Sequence, residues 1–225
     1  MYVSQKLRNE NIAEYLLYMW QIEDIIRAYD CYLPAIRREY ISRFECSDEM
    51  RDDITDWYSN LIRMMTQEGC RESGHIQINK VVMQNLIELH QQLLSSQKFP
   101  FYNAEYYKVL PFIVELRNKG DKNLNEIETC FDALYGVMML RLRKKEISEN
   151  TAMAIKEIST FIGMLSDYYK KDKTEGLEFE WQFFQTPQSF QLVIQYVGNK
   201  SPCLREQTNN TSLPQELIRY QTGNR

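Results

Sequence analysis

The amino-acid sequence predicts an all-α fold: an antiparallel bundle of six to seven helices over residues 1–175, a β-hairpin over 176–198 and a disordered polar tail over 199–225. Three observations lead there. Only 8 Gly and 6 Pro occur in 225 residues, too few breakers for a turn-dense all-β chain, while Leu, Ile, Met, Glu, Gln and Lys are abundant. Apolar residues recur every three or four positions through most of the first 175 residues. After Lys173 the period changes to two.

The first strong helical signal is NENIAEYLLYMWQIEDIIRAYD, in which Ile12, Tyr15, Met19, Ile22, Ile26 and Tyr29 form a stripe. Leu16, Leu17, Trp20 and Ile25 widen it almost to a full circumference, as expected for a central helix buried on nearly all sides. A shorter helix follows over 33–45. Ser47, with Asp48 and Glu49 behind it, supplies an N-cap and first-turn acids for a helix through Met65, which Gly69 ends. Residues 77–96 carry Val82, Leu86, Leu89 and Leu93 on one seam, with Gln84, Glu88 and Gln91 outward. Asn103 is expected to cap a helix to Asn118 that Pro111 kinks. Asn123 and Glu126 resemble a capping box for residues 124–143, whose seam runs Leu124, Ile127, Phe131, Leu134 and Met138. Ser148 caps the last long helix, with Thr151, Ala154, Ile158, Phe161, Leu165 and Tyr168 in its stripe.

In the hairpin, Leu177, Phe179, Trp181 and Phe183 share one side of the first strand, and Phe190, Leu192, Ile194 and Tyr196 one side of the second. Gln185 to Ser189 supply the turn. An isolated two-stranded unit is marginal in water, so this apolar face needs a cover. Phe179, Trp181, Phe183, Leu192, Val193 and Ile194 therefore make a candidate interaction surface, toward a protein partner or a second copy.

The segments NIAEYLLYMWQIEDIIRA, LIELHQQLL, ELRNK, EIETCFDALYG and the I-S-E-N-T run before the last helix occur in an order that resembles a family of all-helical proteins from Bacteroidetes-type bacteria, carried as a domain of unknown function. The resemblance spans about residues 5–175. It implies a helical fold and brings no activity with it.

A formal charge of −4 creates no global field that would draw the chain to nucleic acid or to an anionic bilayer. Five scattered cysteines without a C-x-x-C pair fit reduced thiols in the cytosol. No apolar run reaches the roughly 20 residues of a membrane span, and the N-terminal segment is broken by charges and lacks a cleavage site. The expectation is a cytoplasmic protein without a membrane partner.

Two histidines limit acid–base and metal chemistry. Glu72 and His75 have E-x-x-H spacing, but a di-iron site needs a second copy, so neither a metal nor another cofactor is expected. Glycine-rich phosphate loops and serine-hydrolase motifs do not occur. Attention falls on Glu23, Asp24 and Arg27, polar groups within an apolar helix, and on His90 beside Leu86, Leu93 and Leu94. Glu23 and Arg27 form an i, i+4 ion pair on the ordinary reading; the alternative is that Glu23, Asp24, Arg27 and His90 make a polar pocket for a small ligand or an enzyme's substrate. Arg141, Arg143, Lys144 and Lys145 are a helix-end cluster that could contact phosphates, although no aromatic residues interleave with them for base stacking. The leading expectation is a non-enzymatic bundle acting through protein–protein contacts.

Overall fold

Asn11 is the first cap in the chain, and its side chain accepts hydrogen bonds from the amides of Ala13 and Glu14 at 3.1 and 3.2 Å. In the computed structural model, which describes residues 2–120 and 123–179, it separates α1 (Tyr2–Glu10) from α2 (Ile12–Ala28). The remaining helices are α3 (Leu33–Glu39), α4 (Asp48–Gln67), α5 (Gln77–Ser95), α6 (Pro100–Lys119), α7 (Glu126–Leu142) and α8 (Glu149–Glu175), with a 3₁₀ turn at Ile41–Arg43. Eight α-helices and no strand occur among the described residues, one helix more than the upper expectation. The difference is α1, which precedes the first strong apolar stripe and whose composition is mostly polar.

The chain divides into two compact units. The first comprises residues 2–88 and 165–175 and the second 89–164 and 176–179 among the described residues, so the division falls inside α5 and inside α8. In the first unit α2 buries Ile12, Tyr15, Leu16, Met19, Trp20, Ile22 and Ile26, which is the wide apolar circumference of its sequence. Ser47 caps α4 through the Met50 amide at 3.3 Å. Tyr58, the largest fully buried side chain of α4, has its hydroxyl pKa pushed strongly upward, chiefly by burial.

In the second unit α6 begins at Pro100 rather than at the predicted Asn103 cap. Proline at the first turn has no N–H to leave unpaired and a φ already set for helix, so Phe99 is the N-cap. Pro111 lies inside the same helix. The capping box sits two residues later than predicted: Asn125 accepts from the Ile127 amide at 2.9 Å while Glu128 accepts from the Asn125 amide at 2.9 Å. On α7 the buried face runs through Ile127, Cys130, Phe131, Ala133 and Val137, whereas Leu134 and Met138 of the predicted seam are only half-buried. This helix is apolar almost all round, so its period did not select one face.

The predicted hairpin falls almost wholly outside the described residues. Residues 176–179 are described and form no strand; 180–198 and the predicted tail lie beyond them.

Candidate functional site

Three arrangements carry polar or exposed groups of interest. The first is built on the Glu23 side chain, which is completely buried in the first unit. Its carboxylate accepts from the Ile76 amide at 3.1 Å and from Asn79 Nδ2 at 2.8 Å, and lies 2.5 Å from His75 Nδ1. An ionised carboxylate can only accept, so with Glu23 ionised the shared hydrogen belongs to His75 Nδ1. The His75 ring stacks on Trp20, with centroids 4.3 Å apart and planes 13° from parallel. Tyr15 donates to Asn79 Oδ1 at 3.3 Å and extends the network. Burial first, then the nearby Glu23 charge, raises the Tyr15 pKa against the opposing effect of Arg8, so this hydroxyl remains a donor at neutral pH.

Arg27 contacts Glu23 only at 3.9 Å; its closer ion pair is with Asp24, at 2.8 Å. It also donates to the carbonyls of Cys70 and Gly74, so it fastens α2 to the connection before α5. Gly74 has φ +80, a left-handed conformation that disfavours other residues. Glu23, Asp24 and Arg27 are thus together, as the sequence suggested. His75, read in sequence only as half of a solitary E-x-x-H, is the group that joins them, and its partner is Glu23 rather than Glu72.

His90 belongs to the second unit and has its own partners. It is buried, with Nδ1 2.7 Å from the Tyr102 hydroxyl, and its ring is surrounded by Tyr102, Tyr106 and Phe161. Tyr106 donates to Glu126 Oε2 at 2.8 Å; His90 Nε2 approaches the same oxygen at 3.8 Å, and Arg117 approaches Oε1 at 3.8 Å. His90 foremost, then Tyr106 and Arg117, hold the Glu126 carboxyl below the ordinary carboxylate range despite its partial burial. The arrangement is a closed relay of aromatic rings and one carboxylate.

The basic cluster Arg141, Arg143, Lys144 and Lys145 is exposed at the C-terminus of α7. The amide of Lys145 donates to the Leu140 carbonyl at 3.0 Å and that of Lys144 to the Arg141 carbonyl at 2.9 Å, a Schellman cap with Lys144 left-handed at φ 55. In the first unit an open groove of about 410 Å³ is lined by Arg8, Ile12, Ser166, Tyr169, Lys170 and Lys173. Of the predicted interaction surface, Phe179 is described, half-buried with its ring centroid 5.6 Å from that of Phe99. Trp181, Phe183, Leu192, Val193 and Ile194 lie outside the described residues.

The third arrangement was not singled out in the sequence. Along α6, Phe101, Tyr107 and Val114 are 81%, 66% and 46% exposed, on the outward side of a helix whose Tyr102, Val109, Ile113 and Leu116 are buried. A spacing of seven residues brings Tyr107 and Val114 to nearly the same angle around the helix, whereas Phe101, six residues before Tyr107, lies about 120° away on the other flank of the outer side. The hydrophobic pattern alone did not separate these residues from the core, because α6 is apolar on two sides.

No described helix is long and apolar enough to cross a membrane. Neither the curated proteins nor the solved structures compared with the chain match it. The family model described as Domain of unknown function (DUF4924) matches residues 1–176, and the chain belongs to that family.

Proposed function

We propose that the protein is a non-enzymatic helical module of the cytosol that acts by binding another protein through the outer face of α6. The observation that carries this reading is the exposed pair Tyr107 and Val114, one line of the outer side of α6, with Phe101 exposed on its other flank. Contiguous exposed apolar surface is unfavourable in water, and aromatic residues are enriched where proteins meet. The two polar networks support the same reading from the other side. The Glu23 carboxylate is spent on Ile76, Asn79 and His75, and His90 is enclosed by aromatic rings, so both serve to join helices. The free thiols of Cys31, Cys46, Cys70 and Cys130 suit a reducing compartment. The cations at 141–145 cap a helix, which accounts for them without nucleic acid.

The test is paired affinity capture from native lysate with the full-length chain and with Tyr107→Glu/Val114→Glu. Both sites are exposed, so the melting temperature should stay within a few degrees. Partners captured by the parent chain and lost by the variant are the expected result; an identical set of captured proteins would overturn the reading.

A further inference from the structure

We propose that the groove between the end of α1 and the last turns of α8 binds a small phosphorylated molecule. The groove lies wholly in the first unit, and the proposal does not rest on the reading of α6.

The cleft is built on the α1–α2 junction. Asn11, which follows α1 and caps α2, accepts a hydrogen bond from Ser166 Oγ at 2.8 Å, and this contact ties the junction to α8. Ser166, Tyr169, Lys170 and Lys173 stand at i, i+3, i+4 and i+7, so one face of α8 supplies all four. Ile12 and Ser166 are buried and make the floor, while Tyr169 is half-buried. Arg8 lines the groove from the last turn of α1.

The charges on its rim select the ligand. Among the described residues no carboxylate stands within ion-pair distance of Arg8, Lys170 or Lys173, whereas Lys6, Lys108 and Lys119 meet Glu10, Glu157 and Glu115. Glu10, the acid among the lining residues, is thus already paired with Lys6. Arg8 lies over the Tyr15 ring, 5.8 Å from its centroid, and Lys173 Nζ over the Tyr169 ring at 5.4 Å. A ring face positions a cation without cancelling its charge. The helix dipole accounts for Arg8 and Lys173 in the last turns of α1 and α8. It does not account for two helices bringing three uncompensated cations to one cleft, in a chain whose net charge is −4.

A single carboxylate leaves most of that charge unmet. A phosphate monoester carries about −1.5 to −2 at neutral pH and has three strong acceptor oxygens, which matches three cations. The guanidinium of Arg8 suits two of those oxygens at once, and the lysines add point charges. The groove of about 410 Å³ falls within the roughly 300–1,000 Å³ of small-ligand sites and is larger than a bare phosphate needs. Tyr169 and Ile12 offer the remaining space to an organic body.

The experiment titrates full-length ¹⁵N-labelled protein with phenyl phosphate at constant ionic strength and follows the amide spectrum, with benzoate as the singly charged control of the same shape. Saturable shifts centred on 8–12 and 166–174, with a Kd at or below about 1 mM and benzoate about tenfold weaker, are the expected result. Arg8→Gln/Lys173→Gln should weaken phenyl phosphate about tenfold, whereas Arg141→Gln/Lys145→Gln, which removes the same two charges elsewhere, should change it less than about twofold. All four positions are exposed, so the variants should melt with the parent. Lys170→Gln is the second, single-site check and should weaken binding about threefold. Shifts centred on 141–145, equal losses in the two double variants, equal affinity for benzoate, or no saturation would each overturn the proposal.

Discussion

His75 Nδ1 lies 2.5 Å from Glu23 Oε2, although 52 residues separate them, and the same imidazole stacks on Trp20 three residues before Glu23. One turn of α2 thus holds both the ring's hydrogen-bond partner and its stacking surface. The pair fixes the connection before α5, because the next two donors to Glu23 are the Ile76 amide and the Asn79 side chain.

Glu23→Ala is expected to destabilise the protein by about 3–5 kcal/mol, since it leaves buried donors without an acceptor and removes one partner of a buried polar cluster. Urea unfolding monitored by circular dichroism measures this. Glu23→Gln, which keeps an oxygen for Ile76 and Asn79, should cost less. Equal losses in the two variants would show that acceptor geometry is not what holds the connection.

Trp20 is 6% exposed and forms the platform under His75. Trp20→Ala should cost about 3–5 kcal/mol through lost transfer energy and a residual cavity. A loss under about 1 kcal/mol in denaturant titration would place the indole outside the core.

Glu126 gives a pH signature. Its carboxyl titrates below the ordinary value in the folded protein, so the unfolded chain binds the proton more readily. Its contribution is complete above the unfolded pKa, near 4.5, and is lost as the pH falls through the folded one. Urea midpoints of the parent and of Glu126→Gln should therefore differ most at pH 6–7 and converge toward pH 3. A difference independent of pH would mean that His90, Tyr106 and Arg117 do not stabilise the ion.

Lys144 occupies the left-handed position of the α7 cap, where a side chain is strained and glycine is not. Lys144→Gly should raise stability by up to about 1 kcal/mol, after the greater freedom of glycine in the unfolded chain is set against the relieved strain. Thermal melting decides the sign; destabilisation would show that the lysine side chain, and not the backbone, is what matters there.

The sequence by itself determined the helices and most of the core. Stripes at three and four residues along α2 and α8, the seam of Val82, Leu86, Leu89 and Leu93 in α5, and the Ser47 and Ser148 starts all depend on neighbours within one or two turns. The cap at Gly69 was legible because glycine advertises φ > 0, whereas the equivalent left-handed positions at Asp30 and Lys144 carry residues that do not. In the candidate sites, the Glu23, Asp24 and Arg27 cluster was visible from its spacing on one helix. Only the tertiary structure decided that His75 completes it, that His90 instead joins Tyr102 and Phe161, and that α6 turns Phe101, Tyr107 and Val114 outward. Periodicity is a property of the local chain, while the partner of a buried polar group and the choice between two apolar faces are set by what packs against them.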